Sequence, residues 1–379
     1  MKTYSIAYAF LMLLTIVGCS KSDDPTLPEK EEGETTYTAD YILLQKSNGQ
    51  LSAKMLKANE SGLNPSNTEN SFESIPFPEI TFQKASIFAF YTQLTDCDGQ
   101  VTIHDFDKDV STSIDVFGDL LECHLTVNSI TLDDNTLYIS YMVEKTSKTN
   151  KYYVRAIDLT VDENNKTDIT LDKKPSQMVV SNGRLFVLTL DWDITNEYEL
   201  SVIDTKTQNV IHKIELGYHV KQIFEDNLKN IIISYPELHT VLNSSTMAVE
   251  YVNYEEGAIP RFSESRMNCF DTLGRLFYIR ADDPESLGIP AIYDFTSNLA
   301  LLYYYENFLT ASQLTFEFKI GHTSMISYDD VNNVMLVGYQ KSNDDNKGGL
   351  LRIQLEPEPK FLDNLDLNGV PYQILYKNQ

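Results

Sequence analysis

A single tryptophan, four cysteines and a shortage of basic side chains set the first limits on what this chain can be. With 30 Lys and Arg against 55 Asp and Glu, its formal charge is −25. A surface that acidic repels phosphate backbones, so nucleic acid is excluded as a partner. It repels anionic lipid headgroups too, so a membrane link has to rest on something other than a basic patch. The plainest role of the charge is solubility. No Cys-x-x-Cys pair occurs, which argues against a zinc ribbon or a thioredoxin-like site. Gly-x-Ser-x-Gly, the P-loop, Gly-x-Gly-x-x-Gly and His-Glu-x-x-His are absent as well. Asp105-Phe106-Asp107-Lys108-Asp109 starts like a calcium loop, but Val110 and Val116 stand where the loop needs Gly and a bidentate Glu. The residues therefore call for no metal and no cofactor. No apolar run is long enough to span a bilayer, and beyond the N-terminus no 12-residue stretch has a helical period.

The N-terminus holds the most specific signal. Lys2 precedes an apolar run over residues 6–17 that closes on Ile16-Val17-Gly18-Cys19, the length of a signal h-region. Ile-Val-Gly-Cys resembles a bacterial lipobox. The resemblance implies cleavage before Cys19 and acylation of that cysteine, palmitate being a typical chain. Ser20-Lys21-Ser22-Asp23-Asp24 resembles the export signal of surface lipoproteins in Bacteroidetes, which implies an outer-membrane anchor and a cell-surface domain, the periplasmic face being the alternative. Residues 1–18 then form the signal peptide and 19–38 a flexible acidic tether too poor in apolar surface to fold. Residues 39–379 form the domain.

In the domain, short β-branched and aromatic runs recur: Tyr41–Leu44, Leu137–Tyr141, Leu185–Leu188, Ile231–Ile233, Leu276–Ile279 and Val334–Val337. All but the first follow a turn signal, such as Ser181-Asn182-Gly183, Leu273-Gly274 or Asp329-Asp330. The turns fall near residues 133, 181, 226, 273 and 330. A repeat of that length with four strands per unit predicts an all-β fold, a β-propeller. Seven four-stranded blades are expected, over 39–84, 85–123, 124–174, 175–217, 218–261, 262–317 and 318–379, with six or eight as alternatives. Val370–Tyr376 is a strand left over after the last repeat. It is expected to join the first unit and close the ring.

Ser201-Val202-Ile203-Asp204-Thr205-Lys206-Thr207 followed by Ile214-Glu215-Leu216-Gly217 resembles the YVTN/YncE-like repeat of quinoprotein amine dehydrogenase-like, WD40-like propellers. The other repeats depart from that pattern. The resemblance implies a fold rather than a reaction.

Candidate site residues follow from the repeat. His219, His322, Ser265 with Arg266 beside it, and Ser176 each lie five to seven residues before a turn. That spacing places them where innermost strands begin, around one mouth of the axial channel. Two imidazoles, a guanidinium and hydroxyls converging there suit an anion, or a metal if the imidazoles meet. Trp192, between Asp191 and Asp193, reads as a loop residue, a candidate for recognition if exposed, with burial against the adjacent blade as the equal alternative. Cys97 and Cys123, about half a repeat apart, are candidates for a disulfide between neighbouring strands, which leaves Cys269 as a buried thiol. The expected function is a non-enzymatic, monomeric module for a small ligand or an outer-membrane uptake receptor. The alternatives are a propeller lyase, glycosidase or dehydrogenase with a channel-mouth site, and an extracellular scaffold or adhesin.

Overall fold

The computed structural model describes residues 39–376, apart from 60, 69, 145–149, 162–164, 256, 266–267 and 284–285. The lipobox cysteine Cys19, the tether and Arg266 therefore lie outside the described residues.

Seven antiparallel sheets follow one another along the chain and form the blades of a β-propeller. Blade 1 contains β1 (Ala39–Ser47), β2 (Gln50–Asn59) and β3 (Gly62–Pro65), with the short β4 (Ile75–Pro76) against β2. Blade 2 is β5 (Thr81–Lys84), β6 (Ile87–Thr95), β7 (Asp98–Asp105) and β8 (Val110–Asp115). Blade 3 is β9 (Leu125–Leu132), β10 (Thr136–Val143), β11 (Lys151–Asp158) and β12 (Lys166–Leu171). Blade 4 is β13 (Lys174–Ser181), β14 (Arg184–Leu190), β15 (Tyr198–Asp204) and β16 (Asn209–Gly217). Blade 5 is β17 (Gln222–Glu225), β18 (Asn230–Ser234), β19 (Leu238–Asn243) and β20 (Val249–Asn253). Blade 6 is β21 (Asn268–Phe270), β22 (Arg275–Arg280), β23 (Ile289–Asp294) and β24 (Leu299–Leu302). Blade 7 is β25 (Ile320–Asp329), β26 (Val334–Lys341), β27 (Asp344–Gln354) and β28 (Lys360–Leu367).

The leftover strand, β29 (Val370–Tyr376), pairs with β1 through Tyr41–Tyr376, Ile42–Leu375 and Leu43–Ile374, so the C-terminus supplies the innermost strand of blade 1. At this seam the Tyr41 hydroxyl donates to Asp329 Oδ2 at 2.6 Å, and the hydroxyls of Ser327 and Tyr376 lie 2.8 Å apart. Two sequence boundaries need correction: Lys174 pairs with Leu190 and so opens blade 4 rather than closing blade 3. Residues 81–84 open blade 2 rather than closing blade 1, because Thr81–Lys84 pair with Ile87–Phe90.

Every apolar run singled out in the sequence is the second strand of its blade. Such a strand is flanked by strands on both edges and packed by neighbouring blades on both faces, so alternation gives way to continuous apolar residues. The core is correspondingly a series of clusters between blades. Ala89, Val101 and Ile114 of blade 2 pack with Leu137 and Ile139 of blade 3, and Phe277 and Ile292 of blade 6 with Met335 and Val337 of blade 7. Arg155, 1% exposed, ties blade 3 to the preceding connection. Its guanidinium donates to both Asp168 oxygens, to Asp119 and to the Val116 carbonyl.

Tight turns join first to second strands. Asn182 and Gly183 both have positive φ, the geometry of a two-residue hairpin turn that Asn-Gly favours. At this end the turns are tied blade to blade: Thr272 donates to Asp330, and the Asn227 amide to the Asp271 carbonyl. Asp105 accepts from the Asp107 and Lys108 amides, so the calcium-like segment is a hairpin turn held by its own carboxylate. Cys97 and Cys123 form a disulfide. It links the β6–β7 turn to the connection before β9, joining loops rather than the neighbouring strands that the spacing suggests. Cys269 remains a thiol, and burial pushes its pKa up to about 12.

Candidate functional site: the channel mouth

The opposite end of the ring is where innermost strands begin, and four of these strands carry a bulge there. Tyr372 in β29, Asn128 in β9, Ser176 in β13 and Ser324 in β25 are each an extra residue against the neighbouring strand. In blade 5, Lys221 N and Gln222 both pair with Ser234, which makes Lys221 the equivalent residue. An extra residue re-aims a side chain out of the ladder. The repeated bulge thus sets a series of polar groups around the mouth.

Two cavities lie among these positions. The larger, of about 980 Å³, is lined by Glu79, Arg261, Glu264, Ser265, Asp282, Asp283, His322, Thr323, Ser324 and the aromatic pair Phe77 and Tyr372. His322 Nδ1 lies 3.0 Å from the Ser286 carbonyl, so Nδ1 carries the proton and Nε2 is left as an acceptor in the neutral ring. Ser265 Oγ accepts from the Ile279 amide at 3.2 Å. Thr323 Oγ1 donates to the Gly288 carbonyl and takes the Tyr305 hydroxyl, both at 2.6 Å. Arg261, with φ of 60°, holds Asp282 through its carbonyl at 3.1 Å and its carboxylate at 3.4 Å. Lys221 reaches Glu264 at 3.2 Å. On the aromatic side the rings of Phe77 and Tyr372 meet edge to face at 5.1 Å, and Lys46 Nζ sits 4.5 Å from the Phe77 ring. Ser324 Oγ is buried and has no partner among the described residues.

The second cavity, of about 300 Å³, brings together Ser176 and Trp192, the latter 66% exposed. His219 is exposed, lies against the Tyr218 ring and lines neither cavity. The structure thus joins Ser265 to His322 and Ser176 to Trp192, and leaves the two histidines apart. Sequence counting misaligned these positions because a bulge adds a residue. Ser176 is a bulge residue, whereas His322 and His219 lie two positions before theirs, Ser324 and Lys221. Asn128, Lys221 and Ser324 were missed for the same reason, and Glu79 and Arg261 because they lie in connections outside the repeated strands. Counting back from each turn by the same number of residues, with the bulge included, is the signal that finds Ser324 beside Ser176.

Hydroxyls, an imidazole acceptor, carboxylates and an aromatic wall converge here. Among the described residues no group of three or more His, Cys, Asp and Glu side chains is gathered as a metal site. Among the described residues, the partner of the His322 imidazole is the Ser286 carbonyl rather than a hydroxyl. A third cavity, of about 770 Å³ and more apolar, runs beneath residues 71–80 beside blade 2.

No protein-family model matches the sequence, and no curated protein matches it. Solved structures do match. A candidate 6-phosphogluconolactonase from Bacteroides fragilis aligns with a TM-score of 0.51 and 9% identity, over 89% of this chain and 98% of its own. A Lactobacillus plantarum protein gives 0.54 and 9% identity, over 90% and 99%. Apo AztD from Citrobacter koseri gives 0.45 and 10%, over 89% and 98%. The likeness is one of fold. Similar propellers serve unrelated functions, so neither ligand nor reaction is carried across.

Proposed function

We propose that this protein is a lipid-anchored binding module of the cell envelope, which holds a small polar ligand at the channel mouth without transforming it. The observation that carries this reading is the contrast between the two ends of the ring. At the hairpin end, polar turn groups are spent on neighbouring blades. At the mouth, a cavity of about 980 Å³ is lined by Arg261, His322, carboxylates and Ser324, whose hydroxyl has no partner among the described residues. Ligand sites have this form: concave, with a few convergent polar groups. The lipobox resemblance at Cys19 supports an outer-membrane anchor, and an uptake receptor in that membrane is the partner the anchor would bring within reach.

The test is a thermal-shift panel of glycans, ferric chelates and small organic ions on the full chain in detergent. A saturable rise in melting temperature is expected for at least one compound, weakened about tenfold or more in Arg261→Ala or His322→Ala. A compound recovered chemically altered, or a shift indifferent to both substitutions, contradicts the reading.

A further inference from the structure

The smaller cavity has a charge character opposite to that of the molecule. Asn128, Lys174, Ser176, Gln177, Trp192 and Lys221 are among its polar and aromatic lining, and no carboxylate lines it among the described residues, although the chain carries a charge of −25. Lys174 Nζ stands 5.6 Å from the Trp192 ring. Lys221 is shared with Glu264, both partly exposed, so its ammonium keeps donors for a further partner. Asn128 Nδ2 is buried, belongs to the β9 bulge and makes no hydrogen bond among the described residues. Gln177 is by contrast fixed across blades: its Nε2 donates to the Lys221 carbonyl at 3.2 Å, and its Oε1 accepts from the Ile223 amide at 2.9 Å. Ser176 Oγ donates to the Leu188 carbonyl at 3.1 Å, which leaves its lone pairs to accept. Trp192 is 66% exposed, a large apolar plane left in water.

We propose that this cavity binds an acidic saccharide of the uronic acid type. The assignment rests on the reading of the mouth as the ligand-binding end and names the ligand class of this part of it. The Lys174 ammonium and the remaining donors of Lys221, whose partner Glu264 lies outside the lining, select a carboxylate ligand through charge-assisted hydrogen bonds. The C–H face of a pyranose carries partial positive charge, which suits the negative face of the indole. The ring hydroxyls and ring oxygen answer the Asn128 donor and the Ser176 acceptor. A volume of about 300 Å³ is at the small end of ligand pockets and fits a terminal sugar rather than a long segment of chain.

Trp192 is the only tryptophan, so its fluorescence reports on this cavity alone. The full chain is titrated at low salt with a galacturonic acid trisaccharide, the matching neutral galactose trisaccharide and benzoate. The acidic sugar is expected to give a saturable change in emission that weakens with added salt, while the neutral sugar binds at least about tenfold more weakly. Benzoate, which has the charge without the hydroxyls, is also expected to be weaker. Lys174→Met is expected to lose about fivefold or more in affinity, and calorimetry on Trp192→Ala to show a similar loss. Val331→Ser, at an exposed turn on the hairpin end, is expected to bind like the parent. Equal binding of neutral and acidic sugars, or tighter binding of benzoate, overturns the assignment. So does the absence of saturation at millimolar acidic sugar. In each of these cases the larger cavity, tested through Arg261 and His322, stands or falls separately.

Discussion

Burial decides what each histidine of this chain can do. His322 is exposed at the mouth, whereas His239, 1% exposed, is enclosed by Tyr254, Phe262, Tyr293 and Phe295. Its Nδ1 lies 3.0 Å from the Tyr254 hydroxyl, and among the described residues no carboxylate enters this aromatic shell to stabilise a proton. Desolvation lowers its pKa from 6.5 to about 4. The sign follows directly. As pH falls through that window the unfolded chain takes up the proton first, so stability is lost progressively from about pH 6.5 down to about 4, by roughly 3 kcal/mol at most. Urea melts across this range are expected to show a shallower pH slope in His239→Phe than in the parent. An unchanged slope would mean that other groups govern the loss. The spacing to the next turn singles out His322 but says nothing of how deeply His239 is buried. The difference comes from which blades meet, a long-range property.

Among elements, legibility follows burial on two faces. Second strands were evident because packing between blades demands unbroken apolar runs, as in Ile231–Ile233. Outer strands such as β16 alternate half-buried and exposed residues and give a weaker signal. Blade 2 escaped the pattern because Phe88–Tyr91 follows Ala85-Ser86, a turn without Asn or Gly, although Ala85 adopts φ of 52°. The closing strand was readable from its position after the last repeat. How closely it packs was not. A Cβ placed on Gly338 would fall 2.4 Å from Met325 Cγ and 2.5 Å from Pro371 Cβ, across the seam between blade 7 and β29. Gly338→Ala is therefore expected to cost about 1–3 kcal/mol through overpacking. Hydrogen exchange should localise the loosening to β29 and β1. An unperturbed melting temperature would mean that the seam has room to adjust.

At the scale of the whole molecule, ring closure leaves each blade only a short outer edge, which suits the exposed, lipid-anchored setting proposed for this domain. The repeat also explains why the site was only partly readable. Five similar turns located one end of the channel, but the one-residue bulges at Asn128, Ser176 and Ser324 leave no mark in composition and have to be counted in before the spacing aligns. The candidate residues therefore came within two positions of the polar ring without defining it. The account's central claim is that ligand binds at this mouth. It is tested most directly by hydrogen-exchange mass spectrometry on the full chain, with and without the compound that raises the melting temperature most. Protection is predicted in segments 77–79, 261–265 and 322–324, with the hairpin turns at 182–183 and 330–333 unchanged. Protection at those hairpin turns, with none at the mouth, would contradict it.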